Sequence, residues 1–162
     1  MAYSSADEKQ QSRIAFVSNR DGYQRIYVMD ADGANQRPLT DPQYGEDTHP
    51  VWSPDGTTLA FISTNDGESD VHLVDANGAN RRNLTKSRGL QEDAIAWSPD
   101  SRSVAYFATA PETDGRGYIL DIDGVYPEPA NLWGWDITRL GWSPDGGSFV
   151  YRWRQPTEQC CR

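Results

Sequence analysis

The sequence predicts an all-β chain, a β-propeller made of four-stranded antiparallel blades, and three observations predict it. The pentapeptide Trp52-Ser53-Pro54-Asp55-Gly56 returns as Trp97-Ser98-Pro99-Asp100-Ser101 and as Trp142-Ser143-Pro144-Asp145-Gly146, each copy 45 residues after the last. An apolar series keeps the same 45-residue step: Ile14-Ala15-Phe16, Leu59-Ala60-Phe61, Val104-Ala105-Tyr106 and Phe149-Val150-Tyr151. No segment offers a capped amphipathic helix, and the apolar runs favour β-branched and aromatic residues. Short strands repeating every 45 residues are the signature of a propeller blade.

Within a copy, the strands are lettered A to D from the inside. Strand A ends at the Trp, and Ser-Pro-Asp-Gly then forms a type I turn, with Pro presetting φ, Asp tolerating the third position and Gly closing it. Strand B carries Leu59-Ala60-Phe61 and its equivalents. A polar loop containing Asp21-Gly22, Asn65-Asp66-Gly67 or Asp114-Gly115 leads to strand C at Ile26 to Met29, Val71 to Val74 or Tyr118 to Leu120. A second tight turn follows at Asp30 to Gly33, Asp75 to Gly78 or Asp121 to Gly124, and a short strand D passes through Leu39-Thr40, Leu84-Thr85 or Leu132-Trp133. The third copy departs from the others around Pro111-Glu112-Thr113 and at Tyr126-Pro127-Glu128-Pro129, which leaves its strand D unsettled.

The order B-C-D, A-B-C-D, A-B-C-D, A-B gives three to three and a half blades over residues 13–152, between a polar N-terminal tail at 1–12 and a C-terminal tail at 153–162. An open arc would expose strand edges and apolar faces. Three closures are open: a longer chain, a homo-oligomer, or a ring of three or four blades. The expectation is a homodimer in which strand A at Leu140 to Trp142 pairs with a partner's first blade, an arrangement in which the strand at Phe149 to Tyr151 is surplus.

Composition bounds the function. The 162 residues carry 15 Lys and Arg against 24 Asp and Glu, a formal charge of −9, with no basic cluster longer than a pair. Such a surface repels phosphate backbones and anionic lipid, so nucleic acid and membrane are excluded as expected partners. No window has the apolar length of a membrane helix, and Met1 to Gln11 is polar. The default expectation is therefore a cytoplasmic chain. Cys160 and Cys161 are adjacent, too close for an easy bridge between them, and their role stays open.

Trp-Ser-Pro-Asp-Gly, the run Ile26-Tyr27-Val28-Met29-Asp30-Ala31-Asp32-Gly33 and the following Leu39-Thr40 resemble the TolB-type β-propeller repeat across residues 13–152. That resemblance implies a propeller used mainly to bind proteins or peptides, and admits a periplasmic or secreted location. Similar propellers form the non-catalytic part of prolyl oligopeptidase-like enzymes, and a related one carries oligogalacturonate lyase activity.

Catalytic motifs are weaker than their structural readings. Gly141-Trp142-Ser143 lacks the Gly two residues after Ser that a nucleophile elbow requires, and it recurs as a turn in each copy. Asp30-Ala31-Asp32-Gly33 places its Gly at the fourth position of a calcium loop instead of the sixth. His49 and His72 are the only imidazoles, too few for a histidine metal cluster, and Asn83-Leu84-Thr85 matches a glycosylation sequon through the Leu-Thr of the repeat. No catalytic residue, metal or cofactor is expected.

Alternating strand direction puts the short A-to-B and C-to-D turns on one face and the divergent B-to-C and D-to-A loops on the other. The loop face gathers Tyr44, Glu46, Asp47, His49, Glu92, Asp93, Trp135 and Asp136. Carboxylates there would steer, and aromatics anchor, a protein or basic peptide. The expected function is a non-enzymatic binding module. The alternative is the propeller portion of a prolyl oligopeptidase-like hydrolase or of a carbohydrate-active enzyme.

Overall fold

Thirteen strands follow one another in the computed structural model, which describes residues 12–41, 45–65, 67–110, 114–124, 126–134 and 137–153. Blade 1 holds β1 (Arg13–Ser18), β2 (Arg25–Asp30) and β3 (Arg37–Pro38) in the order B, C, D. Blade 2 is complete, with β4 (Glu46–Trp52), β5 (Thr58–Asn65), β6 (Glu68–Asp75) and β7 (Arg82–Asn83). So is blade 3, with β8 (Gln91–Trp97), β9 (Ser103–Thr109), β10 (Gly115–Asp121) and β11 (Glu128–Gly134). Blade 4 consists of strands A and B, β12 (Ile137–Trp142) and β13 (Phe149–Trp153).

Neighbouring strands in each blade are antiparallel, and one parallel bridge, Ser69 with Gln91, ties blade 2 to blade 3. Two details of strand D differ from the expected layout. In blades 1 and 2 its ladder lies at Arg37–Pro38 and Arg82–Asn83, just before Leu39 and Leu84, whose amides then donate to the Ile26 and Val71 carbonyls, both at 2.8 Å. In blade 3 it is a seven-residue strand, Glu128–Gly134, which accommodates Pro129 because it is the outermost strand, where a missing N–H breaks no inner ladder.

The period-2 pattern of each strand feeds two different cores. Leu59 and Phe61 of β5 face blade 1 with Ile26, Val28, Leu39 and Val74, whereas Ala60 and Ile62 face blade 3 with Val71, Leu73, Trp97, Val104 and Tyr106. A third cluster, Phe107, Leu132 and Ile137 with Leu140 and Phe149 against it, joins blades 3 and 4. The core is thus divided among the joints between blades.

The Ser-Pro-Asp turns are built alike. Ser53, Ser98 and Ser143 each donate a hydroxyl to the Asp two residues on, at 2.6 Å in all three. Each Asp accepts a backbone N–H from Thr57, Arg102 or Gly147, and each Ser oxygen accepts one from Thr58, Ser103 or Ser148. The serine bond, first among the causes, holds the Asp55, Asp100 and Asp145 carboxyls below the usual range. Gly56 and Gly146 close their turns at φ 69° and 73°, and Ser101 adopts the same left-handed conformation at 62°.

Candidate functional site

The loop face begins where β4 and β8 enter the sheet. Both inner strands carry a bulge, between Thr48 and Val51 and between Asp93 and Ile95. His49 at φ 52° and Ala94 at 38°, equivalent residues, occupy it in the left-handed region. The repeat therefore dictates the bulge, and the side chain at its apex is free to vary. Ala94 is buried against blade 4, whereas His49 is exposed, its Nδ1 3.0 Å from the Thr48 hydroxyl.

Two residues before each bulge stands a carboxylate, and here the structure departs from the expected surface role. Asp47 and Glu92, one repeat apart, are 0% and 1% exposed. Asp47 is taken by Arg81, whose guanidinium reaches Oδ2 at 2.8 Å and Oδ1 at 3.0 Å, donates to Ser63 Oγ at 2.9 Å and lies over the Phe61 ring. Glu92 meets neutral donors: its Oε2 accepts from the Val71 amide and the Thr85 hydroxyl, both at 2.7 Å, and its Oε1 from the Ser87 hydroxyl. Burial pushes the Glu92 carboxyl up to about 7, and nearby Asp70 adds to the rise against the lowering effect of those three donors. A buried carboxylate whose oxygens are consumed by such donors cannot steer a partner. Glu92 ties blade 3 to blade 2, whereas the Asp47 carboxylate is paired within blade 2.

Glu46, His49 and Asp93 are exposed at the loop-side ends of β4 and β8. Tyr44, Trp135 and Asp136 lie outside the described residues, as do Cys160 and Cys161. The loop face also carries cations. In the first B-to-C loop Arg25 pairs with Asp21 at 2.9 Å, Arg20 lies 4.4 Å over the Tyr27 ring, and the Tyr27 hydroxyl bonds Asp21, which raises the phenol above its ordinary value. Exposed Lys86, Arg88 and Arg116 extend this mixed character.

Sequence reasoning missed Arg81, Asp70, Ser69, Thr85 and Ser87. The repeated Leu-Thr was a usable signal, because the Thr40 and Thr85 hydroxyls accept the Ile26 and Val71 amides in both copies. Nothing signalled Arg81, since Gln36 holds its repeat position. His72, whose Nδ1 finds no partner among the described residues, is packed 5.6 Å from the Phe61 ring, and burial lowers its pKa to about 4. The Asp30 and Asp75 carboxylates accept from Asn35 and Asn80, and Asp32 accepts the Ala34 amide, so these aspartates build turns.

The arrangement of repeated Ser-Pro-Asp turns, bulged inner strands and buried carboxylates can be set against known proteins. Residues 4–112 match the TolB beta propeller domain. The chain belongs to the TolB β-propeller family. The Tol-Pal system protein TolB of Syntrophotalea carbinolica is 47% identical over 45 residues, 28% of this chain and 10% of that protein. The Uncharacterized peptidase YuxL of Bacillus subtilis is 43% identical over 47 residues, 28% of this chain and 7% of that protein. The solved structure of putative TolB from Agrobacterium tumefaciens superposes with a TM-score of 0.71 at 25% identity, covering 86% of this chain and 55% of that one. This TolB-type chain thus spans about half the length of that structure and a tenth or less of the two curated relatives.

Proposed function

We propose that this TolB-type propeller is a non-enzymatic module that binds a protein or peptide across its B-to-C and D-to-A loop face. The observation that carries the reading is a division of labour between the faces. On the turn side, serine, aspartate and backbone groups are consumed by one repeated network. The loop side presents Tyr23, 56% exposed, with exposed Glu46, His49 and Asp93 at the ends of rigid inner strands. An aromatic anchor beside charged groups on a fixed scaffold suits a polar peptide. The preferred ligand offers a cation to Glu46 and Asp93 and an apolar side chain to Tyr23.

Calorimetric titration of peptides selected on this protein tests the reading, with the variants Tyr23→Ala, Glu46→Ala, His49→Ala and Asp93→Ala. At least one of Tyr23→Ala and Glu46→Ala should weaken binding tenfold or more, as expected of a central contact. Affinity unchanged in all four would reject the site.

The match to YuxL favours a second reading, in which the propeller belongs to a peptidase whose catalytic groups lie in a separate domain. A serine-directed covalent probe applied to the full reading frame would label such a domain and leave these 162 residues unlabelled.

A further inference from the structure

An indole hydrogen bond recurs from joint to joint. Trp97 Nε1 donates to the Val51 carbonyl at 3.0 Å, and Trp142 Nε1 to the Ala96 carbonyl at 3.2 Å. Each Trp thus reaches strand A of the preceding blade, to the residue 46 positions earlier. Trp52 occupies the same place against blade 1, and its Nε1 is buried with no acceptor among the described residues. The acceptor should come from a strand A beside β1; among the described residues β1 pairs with β2 alone, and position 6, 46 residues before Trp52, lies outside them. A buried N–H left unpaired is costly, so this joint is shaped for a strand that the described residues do not supply.

The other end of the arc holds a matching strand. β12 is a strand A whose Gly141 is the repeat equivalent of Val51 and Ala96. Its outer edge is covered by β13, with Trp142 opposite Phe149 and Gly141 opposite Val150. β13 and β1 are the same strand of the repeat: Phe149 and Val150 lie 135 residues, three repeats, beyond Ile14 and Ala15. Both are poorly covered, with Ile14 41%, Val17 37%, Val150 74% and Tyr151 42% exposed.

We propose that the inner edge of β1 receives β12 of a second copy of this chain, with Trp52 Nε1 donating to the carbonyl of Gly141 of the partner subunit. β1 then takes the place of the partner's β13 along β12, Ile14 replaces Phe149 against the Trp142 ring, and the displaced β13 is the strand that sequence arithmetic left surplus. The partner is a second copy because one repeat register supplies both the open edge and the strand that fits it. The exchange made in both directions joins the ends of two arcs and leaves neither with an open edge.

Paired cysteines test this in a background of Cys160→Ser and Cys161→Ser. Ala15→Cys with Gly141→Cys places the two thiols on directly opposed residues of the exchanged ladder, ~4.5–5.5 Å apart at Cα and within disulfide reach. An intermolecular crosslink should form, and light scattering should give twice the 18.1 kDa chain mass. Val150→Cys with Gly141→Cys locks β13 in place and should keep the protein monomeric. In the unlocked protein Trp52→Phe should raise the dimer dissociation constant roughly 2- to 10-fold, the loss of one net hydrogen bond. A wild-type chain that stays at 18.1 kDa at every concentration, or a dimer indifferent to the Val150 lock, would overturn the proposal.

Discussion

Blades 2 and 3 bury a carboxylate at the same repeat position of their inner strands and neutralise it by different means. In the first, Asp47 meets the fork of Arg81 at two oxygens. In the second, the longer Glu92 reaches across to Val71, Thr85 and Ser87, whose donors are all neutral. One carboxylate is matched by a full opposite charge held over an aromatic ring. The other is solvated by dipoles, and its burial raises its affinity for a proton. A repeat fixes where a polar group is buried, whereas the residues around it decide which ionisation state is stable there.

The widest separation between the two sites should follow from removing the cation. Arg81→Ala leaves Asp47 charged at a fully buried site, at an expected cost of about 3–5 kcal/mol in urea unfolding, and Asp47→Ala added to it should recover much of that loss. Thr85→Val at the Glu92 site removes one of three neutral donors and should cost about 1–3 kcal/mol.

A pH series sharpens the contrast. Glu92 binds its proton more tightly folded than unfolded, so its contribution is fully present below about 4.5 and is lost as the pH rises through about 7. Across that window it amounts to a loss on the order of 3 kcal/mol. His72 runs the other way. Its pKa is lowered to about 4, so its contribution is present above 6.5 and is lost as the pH falls through 4. The two slopes oppose each other between about 4.5 and 6.5, so Glu92→Gln should remove the decline that Glu92 contributes up to about 7 and unmask the His72 rise between 4 and 6.5, as read from urea midpoints at each pH. A variant that keeps the wild-type decline would place the titrating group elsewhere.

Smaller changes on the turn face serve as the control, because there the blades are alike. Ser53→Ala and Ser98→Ala each remove one hydroxyl bridge with the same partners and should cost about 1 kcal/mol each, equal within error. Unequal costs would mean that the blades differ on both faces. Ser101→Gly relieves the left-handed conformation that Gly56 and Gly146 already accommodate but removes the hydroxyl that accepts the Asp55 amide at 3.1 Å, so the two effects should cancel to within about 1 kcal/mol.

Much of the fold is legible in the sequence because its determinants are local. Ser, Pro, Asp and Gly make a turn from bonds spanning two to five residues, and period-2 alternation assigns β5 to both of its joints without knowledge of the neighbours. The order of the thirteen strands follows from the 45-residue step alone. What the tertiary structure decided is the fate of single side chains. Asp47 and Glu92 read as surface acids because they adjoin polar loop residues, yet the bulge beside them turns both inward, toward donors 34 and 21 residues away in Arg81 and Val71. His49 and Ala94 share a backbone conformation, but only packing made one exposed and the other buried. Local chemistry sets which turns and strands form; burial and charge pairing depend on residues that only the folded arc brings together.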